Sequence, residues 1–121
     1  MIFKHKRFKI LGFQNNKKVK NWFKQSEISV ACSRIEEPFG RTALEASSSG
    51  CAVIISNRGG LPEASPSAIK IKVLTIKNLQ NKIEMLIKNK NYKKSLQKKI
   101  YKKFNLTNEF SSKKIDDYRI Q

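Results

Sequence analysis

Two glutamates flank the start of a predicted helix, Glu37 in the preceding loop and Glu45 within the helix, with seven residues between them. Gly40 lies where loop and helix meet, and free backbone N–H groups at such a position favour an anion such as a diphosphate. Glycine also lets a ligand approach the backbone closely. Glu37 could accept hydrogen bonds from sugar hydroxyls, and Glu45 could accept them from a ribose. This arrangement fits a molecule with hydroxyls at each end and phosphates between, such as a nucleotide sugar.

The residues around these glutamates also have purely structural interpretations. Thr42 and Glu45 fit a capping box, in which two side chains satisfy backbone N–H groups of the first turn. Arg41 and Glu45 have the i, i+4 spacing of an ion pair on a helix surface. Acidic residues before a helix, here Glu36 and Glu37, are stabilising without any ligand. Spacing alone leaves both interpretations open.

The elements that would position these residues alternate between strands and helices. Continuous apolar, β-branched runs predict strands buried on both faces, and apolar residues at i, i+3 and i+4 predict helices. The pattern predicts strands over Phe8–Phe13, Ile28–Cys32, Cys51–Ser56 and Ala68–Leu74, and helices starting near Asn15, Arg41, Pro62, Thr75, Tyr92 and Thr107. Asn15 or Asn16 and Thr75 are the predicted N-caps of their helices. Such alternation is typical of an α/β fold with a parallel sheet, in which the alternating strand Ala68–Leu74 lies near the exposed edge.

Two loops follow the strands that are predicted to be most buried, Ser33–Gly40 and Asn57–Leu61. Ligands of parallel α/β sheets bind at the carboxyl ends of the strands, where these loops lie. The helix after the first loop has a face of small residues at i, i+3, i+4 and i+7, which lets it approach the sheet closely with or without a ligand: Ala43, Ala46, Ser47 and Gly50.

The charge of the chain has two interpretations. Its 121 residues carry a net charge of +17, which would suit polyanionic partners such as nucleic acid, an anionic membrane or phosphorylated substrates. The excess is almost all lysine, however, and asparagine and isoleucine are also abundant. These residues share A/T-rich codons, so compositional bias explains the charge equally simply, and we favour it.

Cysteine usage and hydropathy indicate a reducing, aqueous setting. Cys32 and Cys51 lie in apolar runs and do not make a disulfide framework, and the sequence contains no clustered histidines and cysteines that would suggest a metal site. No apolar run approaches the roughly 18 residues needed to span a bilayer, and the basic N-terminus has no signal-peptide core. We expect a cytoplasmic protein, at most peripheral at the inner face of the membrane.

The stretch EEPFGRTALEA, from Glu36 to Ala46, resembles the E-x7-E signature of retaining glycosyltransferases of the GT4 family, also called glycosyl transferases group 1. The similarity extends to LGF and SEISVACS before the signature and to CAVIIS and NRGGLPE after it. At motif level it covers about Phe8 to Glu63. It implies a GT-B enzyme, of which residues 1–121 would be an incomplete, Rossmann-like C-terminal domain that binds the nucleotide sugar, with a C-terminal helix over residues 105–121.

The resemblance also implies a role for each matched residue. Glu37 would contact the donor sugar and is the candidate catalytic residue. The residues that would surround the phosphates, sugar and ribose are Phe39, Gly40, Arg41, Thr42, Leu44 and Glu45, and Gly59 and Gly60 would form a neighbouring loop. The resemblance implies a front-face transfer in which the leaving diphosphate helps to deprotonate the acceptor, and no metal or other cofactor is expected. The acceptor would be a glycan or a lipid-linked molecule.

The chain departs from the family pattern in three ways. Cys32 stands where the family commonly has proline, which we interpret as a core substitution. The upstream arginine and lysine that hold the diphosphate in the family have no assigned counterpart here, and the acceptor-binding domain has none either. An electrostatic clamp on the leaving phosphate is often a large catalytic contribution. We therefore expect little or no transferase activity from this chain alone.

Three functions remain to be compared. The first is a fragment, or a separately encoded half, of a retaining glycosyltransferase that is completed by an N-terminal GT-B half. The second is a non-catalytic module that binds a nucleotide sugar or a protein partner. The third is a basic protein that binds membranes or nucleic acid, and it ranks last because the sequence has no nucleic-acid recognition motif. The Lys-rich segment Lys88–Lys103 could face anionic lipid, although a solvated helix face explains it as well.

Overall fold

The computed structural model describes residues 6–36 and 38–104. Three parallel strands form one sheet in the order β1-β2-β3: β1 spans Ile28–Ala31, β2 spans Ala52–Ser56 and β3 spans Ile69–Ile71. The central positions align across all three strands, Val30 with Ile54 and Ile54 with Ile69. The predicted α/β class, a parallel sheet flanked by helices, is confirmed.

The helices connect and cover these strands in chain order. The first helix, α1, spans Asn16–Gln25; α2 spans Arg41–Ser48, α3 spans Leu61–Ala64 and α4 spans Ile76–Lys88. A further helix, α5, occupies residues 90–104. The start of α1 is capped by the side chain of Asn15, and the start of α4 by that of Thr75, as predicted. No helix in residues 6–36 and 38–104 is long and apolar enough to cross a membrane.

The core is centred on β2, whose residues are all buried. Both edges of β2 are paired with a neighbouring strand. Its apolar side chains are enclosed within the core cluster. The small residues Ala43, Ala46 and Ser47 line the buried side of α2, so the predicted close approach of this helix is confirmed. Residues of α4 and α5 complete the cluster, namely Leu86, Leu96 and Ile100.

One predicted strand is absent, and another is present but less buried than expected. Over Phe8–Phe13 only Phe8 makes an isolated bridge, and Ile10 and Phe13 are 64% and 97% exposed, because no neighbouring element among the described residues covers them. The run at Ile28 was expected to be buried on both faces, but β1 lies at the edge of the sheet and Val30 is 40% exposed. The predicted edge position of β3 is confirmed. The predicted helix after Thr107 lies outside the described residues.

The fifth helix is joined to the beginning of β1 by two polar contacts. Lys93 Nζ lies 3.1 Å from Glu27 Oε1, and Gln97 Nε2 donates to the Glu27 carbonyl oxygen at 2.9 Å. Lys93 is buried as a whole, and its ammonium is paired with the exposed carboxylate of Glu27. These contacts fix the first turns of α5 beside the amino end of β1.

Candidate functional site

The loops after β1 and β2 meet backbone to backbone at the carboxyl edge of the sheet. A Cβ atom added to Gly60 would lie 2.5 Å from the Pro38 carbonyl oxygen and 3.1 Å from the Phe39 carbonyl carbon. One added to Gly40 would lie 2.9 Å from the Gly60 carbonyl oxygen and 2.9 Å from Ala64 Cβ. Both glycines are therefore required by close packing of the two loops, whatever the ligand.

A carboxylate joins the same two loops. Glu36 accepts a hydrogen bond from the Gly59 N–H, and its other oxygen lies 3.6 Å from the Arg58 guanidinium. Sequence analysis predicts only a general helix-end role for Glu36, since nothing in its local pattern indicates a partner in the second loop. Tertiary structure therefore makes Glu36 the residue that links the two loops.

The amino end of α2 projects from this junction without a side-chain cap. Gly40 is the N-cap residue, and its φ of 60° lies in the left-handed region that favours glycine. No side chain caps the helix, and its first turn contains no acidic residue. The first backbone N–H groups therefore have no side-chain acceptor at the cap, and together with the helix dipole they favour an anion.

The capping box predicted for Thr42 and Glu45 is wrong. The helix begins at Arg41, so Thr42 lies inside the first turn, not at the N-cap position. Glu45 instead accepts from Arg41 Nε at 3.3 Å, and this confirms the alternative i, i+4 pair. The Glu45 side chain is 22% exposed and that of Arg41 is 74% exposed. A ligand hydroxyl can reach Glu45 only by sharing it with Arg41 or by displacing Arg41.

Two apolar side chains stand exposed beside this helix end. Phe39 is 83% exposed and Leu44 is 41% exposed. Thr42 is exposed as well. The residues predicted from Phe39 to Glu45 therefore surround the amino end of one helix, and Gly60 packs against the loop that precedes it. Glu37, the candidate catalytic residue, lies outside the described residues.

The two thiols lie in different surroundings behind these loops. Burial raises the pKa of the Cys32 thiol, and a hydrogen bond with the Ser56 backbone partly offsets that rise. Burial also raises the pKa of the Cys51 thiol, which donates to the carbonyl oxygens of Phe23 and Ser26. Both shifts favour the neutral thiol, which is the poorer nucleophile. In the described part of the chain, no group of three or more histidine, cysteine and acidic residues is placed to hold a metal ion.

Comparison with known proteins identifies the family of this chain. The sequence pattern of the family described as Glycosyl transferases group 1 matches residues 4–103. This chain belongs to that family. No curated protein and no solved structure matches the chain significantly. The family assignment makes the chain a glycosyltransferase domain, and it supports the α/β architecture predicted from the alternation of strands and helices.

Proposed function

We propose that the chain is the donor-binding part of a GT4-type, retaining glycosyltransferase of the GT-B fold that uses a nucleotide sugar. The observation that carries this proposal is the amino end of α2, which has Gly40 as its N-cap residue and no capping side chain. A diphosphate placed there would receive backbone hydrogen bonds and the favourable end of the helix dipole. Family membership makes a nucleotide diphosphate sugar the natural source of that group.

The residues around the helix end would divide the donor between them. Glu45, half-buried in the second turn, would accept hydrogen bonds from the ribose hydroxyls once Arg41 moves or shares its carboxylate. Arg41, once released from Glu45, would then lie near the phosphates. We keep Glu37 as the candidate residue for the sugar and as the catalytic candidate. The proposed transfer uses no metal, because the helix end and basic side chains would offset the charge of the diphosphate.

A second half would have to complete the enzyme. The exposed apolar side chains Phe8, Ile10, Phe13 and Trp22 support this part of the proposal, since a partner domain could cover them. We propose an N-terminal GT-B half, encoded separately or joined to this one, which would supply the phosphate clamp and the site for a glycan or lipid-linked acceptor. The proposed setting is the cytoplasm, with peripheral membrane contact through the lysines of α5.

Donor binding tests this proposal directly. Calorimetric titration of the chain with UDP- and GDP-sugars should give saturable binding for one nucleotide. Glu45→Gln should weaken that binding about tenfold, since a hydrogen bond to a charged group is lost. Glu84→Gln is the matched control, because Glu84 is an exposed glutamate of α4 that accepts a hydrogen bond from Gln80 and lies far along the chain from α2. Absence of binding to every donor, or equal weakening by both substitutions, would contradict the proposal.

Transferase activity needs a separate measurement. Incubation of the chain with radiolabelled nucleotide sugars and a lipid or sugar acceptor should give little or no transfer, whereas adding an N-terminal GT-B half should restore it. Robust turnover by the chain alone would show that the missing half is dispensable. Donor binding that never leads to transfer, whichever half is added, would favour a non-catalytic module.

A further inference from the structure

Three basic side chains lie at the carboxyl edge of the sheet. Arg34 follows β1, Arg58 follows β2 and Lys72 follows β3 directly. All three line one cleft with a volume of about 400 Å³, and none of the residues from Phe39 to Leu44 contributes to its lining. We refer to this cleft, defined by Arg34, Arg58 and Lys72, as the basic cleft. Each of the three strands thus contributes one cation to it.

The floor of the basic cleft is fixed by hydrogen bonds between the strand ends. The Ser33 N–H donates to Ser56 Oγ at 2.8 Å, and the Ser56 hydroxyl donates back to the Ser33 carbonyl oxygen at 2.8 Å. The Asn57 N–H donates to the Ile71 carbonyl oxygen at 3.1 Å. Ser56 is buried, and hydrogen bonds from Ser56 and Asn57 join the end of β2 to both neighbouring strands. The loops that carry the three cations therefore start from a rigid base.

The cations are available to a ligand. Arg34 and Lys72 are exposed, and neither forms an ion pair with any residue in the described ranges. Arg58 is paired with Glu36 at 3.6 Å, but both side chains are more than half exposed. Surface pairs of this kind are weak, so a doubly charged anion can compete for the guanidinium. Arginine in particular presents a planar fork of donors that matches phosphate oxygens.

One wall of the basic cleft is apolar. Val73 is 66% exposed and lines the cleft next to Lys72. A free inorganic ion would leave this wall bare, whereas a phosphate attached to an organic group could cover it. Three cations and an apolar wall in one cleft therefore fit a phosphorylated organic molecule better than a simple anion.

We propose that the basic cleft binds the phosphate group of a second substrate, at a position separate from the donor site on α2. In a glycosyltransferase that molecule would be a phosphorylated acceptor, an assignment that rests on the proposed function. The phosphate site itself does not, because it is argued from Arg34, Arg58 and Lys72 alone. The phosphate could belong to a soluble sugar phosphate or to a lipid headgroup, and the chemistry of recognition is the same.

A titration with inorganic pyrophosphate, followed in 15N-resolved NMR spectra at fixed ionic strength, tests this site. The amide signals of Arg34, Arg58 and Lys72 should shift saturably. The double variant Arg34→Gln/Lys72→Gln should bind about tenfold more weakly, as expected for the loss of two charge-assisted contacts. The matched control is Lys17→Gln/Lys24→Gln, which removes the same charge from exposed positions on α1. It should stay within about twofold of the unmodified protein, because distant exposed charges are screened.

Two results would overturn the proposal. Equal weakening in the two double variants would mean that pyrophosphate responds only to net charge. Shifts confined to Gly40, Arg41 and Thr42 would assign the anion to α2 alone. Thermal unfolding of each variant at the unmodified temperature would establish that both variants are folded.

Two further titrations separate the sources of the phosphate. One uses glucose 1-phosphate, and the other compares phosphatidylcholine vesicles with and without phosphatidic acid. Whichever ligand binds should bind more weakly to the Arg34→Gln/Lys72→Gln variant than to the Lys17→Gln/Lys24→Gln variant. If neither glucose 1-phosphate nor the phosphatidic acid vesicles bind, the proposal is overturned. Glu45→Gln should leave this binding unchanged even where it weakens donor binding, so the two proposals can fail independently.

Discussion

The central strand β2 and the segment from Phe8 to Phe13 are both apolar runs, but their surroundings in the molecule are opposite. Every residue of β2 is buried. In the N-terminal segment Phe8 is 55% exposed, Ile10 64% and Phe13 97%. The central strand has partners on both edges and the small face of α2 against it, whereas the segment makes one isolated bridge. Burial here depends on which elements surround a run, and apolar composition alone does not determine it.

Truncating one isoleucine in each region gives the largest expected contrast. Ile54→Ala should lower the free energy of unfolding by about 2–5 kcal/mol, because it leaves a cavity among packed neighbours. Ile10→Ala should change it by less than about 0.5 kcal/mol, since the side chain is mostly exposed. Urea denaturation followed by circular dichroism measures both. Equal losses would mean that the N-terminal segment is covered in solution, for example by a second copy of the chain.

Glycine substitutions extend the contrast to the backbone. Gly60→Ala places a methyl group 2.5 Å from the Pro38 carbonyl oxygen and should cost about 1–3 kcal/mol by overpacking. Gly12→Ala meets nothing within 4 Å but keeps a φ of 63°, so only the backbone strain of about 1–2 kcal/mol should remain. Donor titration of both variants adds a functional measurement: only Gly60→Ala should weaken binding. A Gly12 variant that weakens donor binding as much as the Gly60 variant would contradict the contrast.

Much of the fold follows from local pattern. Asn15 and Thr75 were identified as helix caps because a short polar side chain precedes an apolar stripe, and both cap their helices. The central strand was predicted from an uninterrupted β-branched run and is found one residue shorter. The N-terminal segment has a similar run, but its pairing depends on a neighbour that local sequence does not encode. That dependence explains why the prediction was wrong there.

The candidate site divides in the same way. The position of Gly40 and Glu45 at one helix end follows from sequence spacing, because it needs only the helix to form. The identity of the N-cap residue does not follow from the sequence, since Thr42 is also a good capping residue. The packing of the two loops places Gly40 at the N-cap position. The link from Glu36 to Gly59 and the basic cleft both join loops that are distant in sequence. Only the register of the sheet brings those loops together.

The thiol at the start of β2 provides a test of burial that depends on pH. Burial raises the pKa of Cys51 in the folded state, so its contribution to stability is complete below the usual thiol pKa. Above a pH of about 8.5 the unfolded chain begins to lose the proton first, and stability falls. Cys51→Ser keeps a donor for Phe23 and Ser26 but does not titrate there. Denaturant unfolding should show a smaller loss from pH 8 to pH 10 in this variant; identical losses would place Cys51 in contact with solvent.

The smallest expected effect concerns the amino end of the sheet, where Lys93 of α5 meets Glu27 before β1. Lys93→Met retains the packed stem and removes the charge, so its cost isolates the ion pair. Because the Glu27 side chain is 75% exposed, that cost should be only about 0.2–1 kcal/mol. Lys94→Met, on an exposed position of the same helix, should cost less. The difference between the two variants should shrink in 1 M NaCl, where surface charges are screened over about 3 Å. If it does not shrink, then the difference does not come from a salt-screened ion pair, and α5 is fixed to β1 by Gln97 and its apolar face instead.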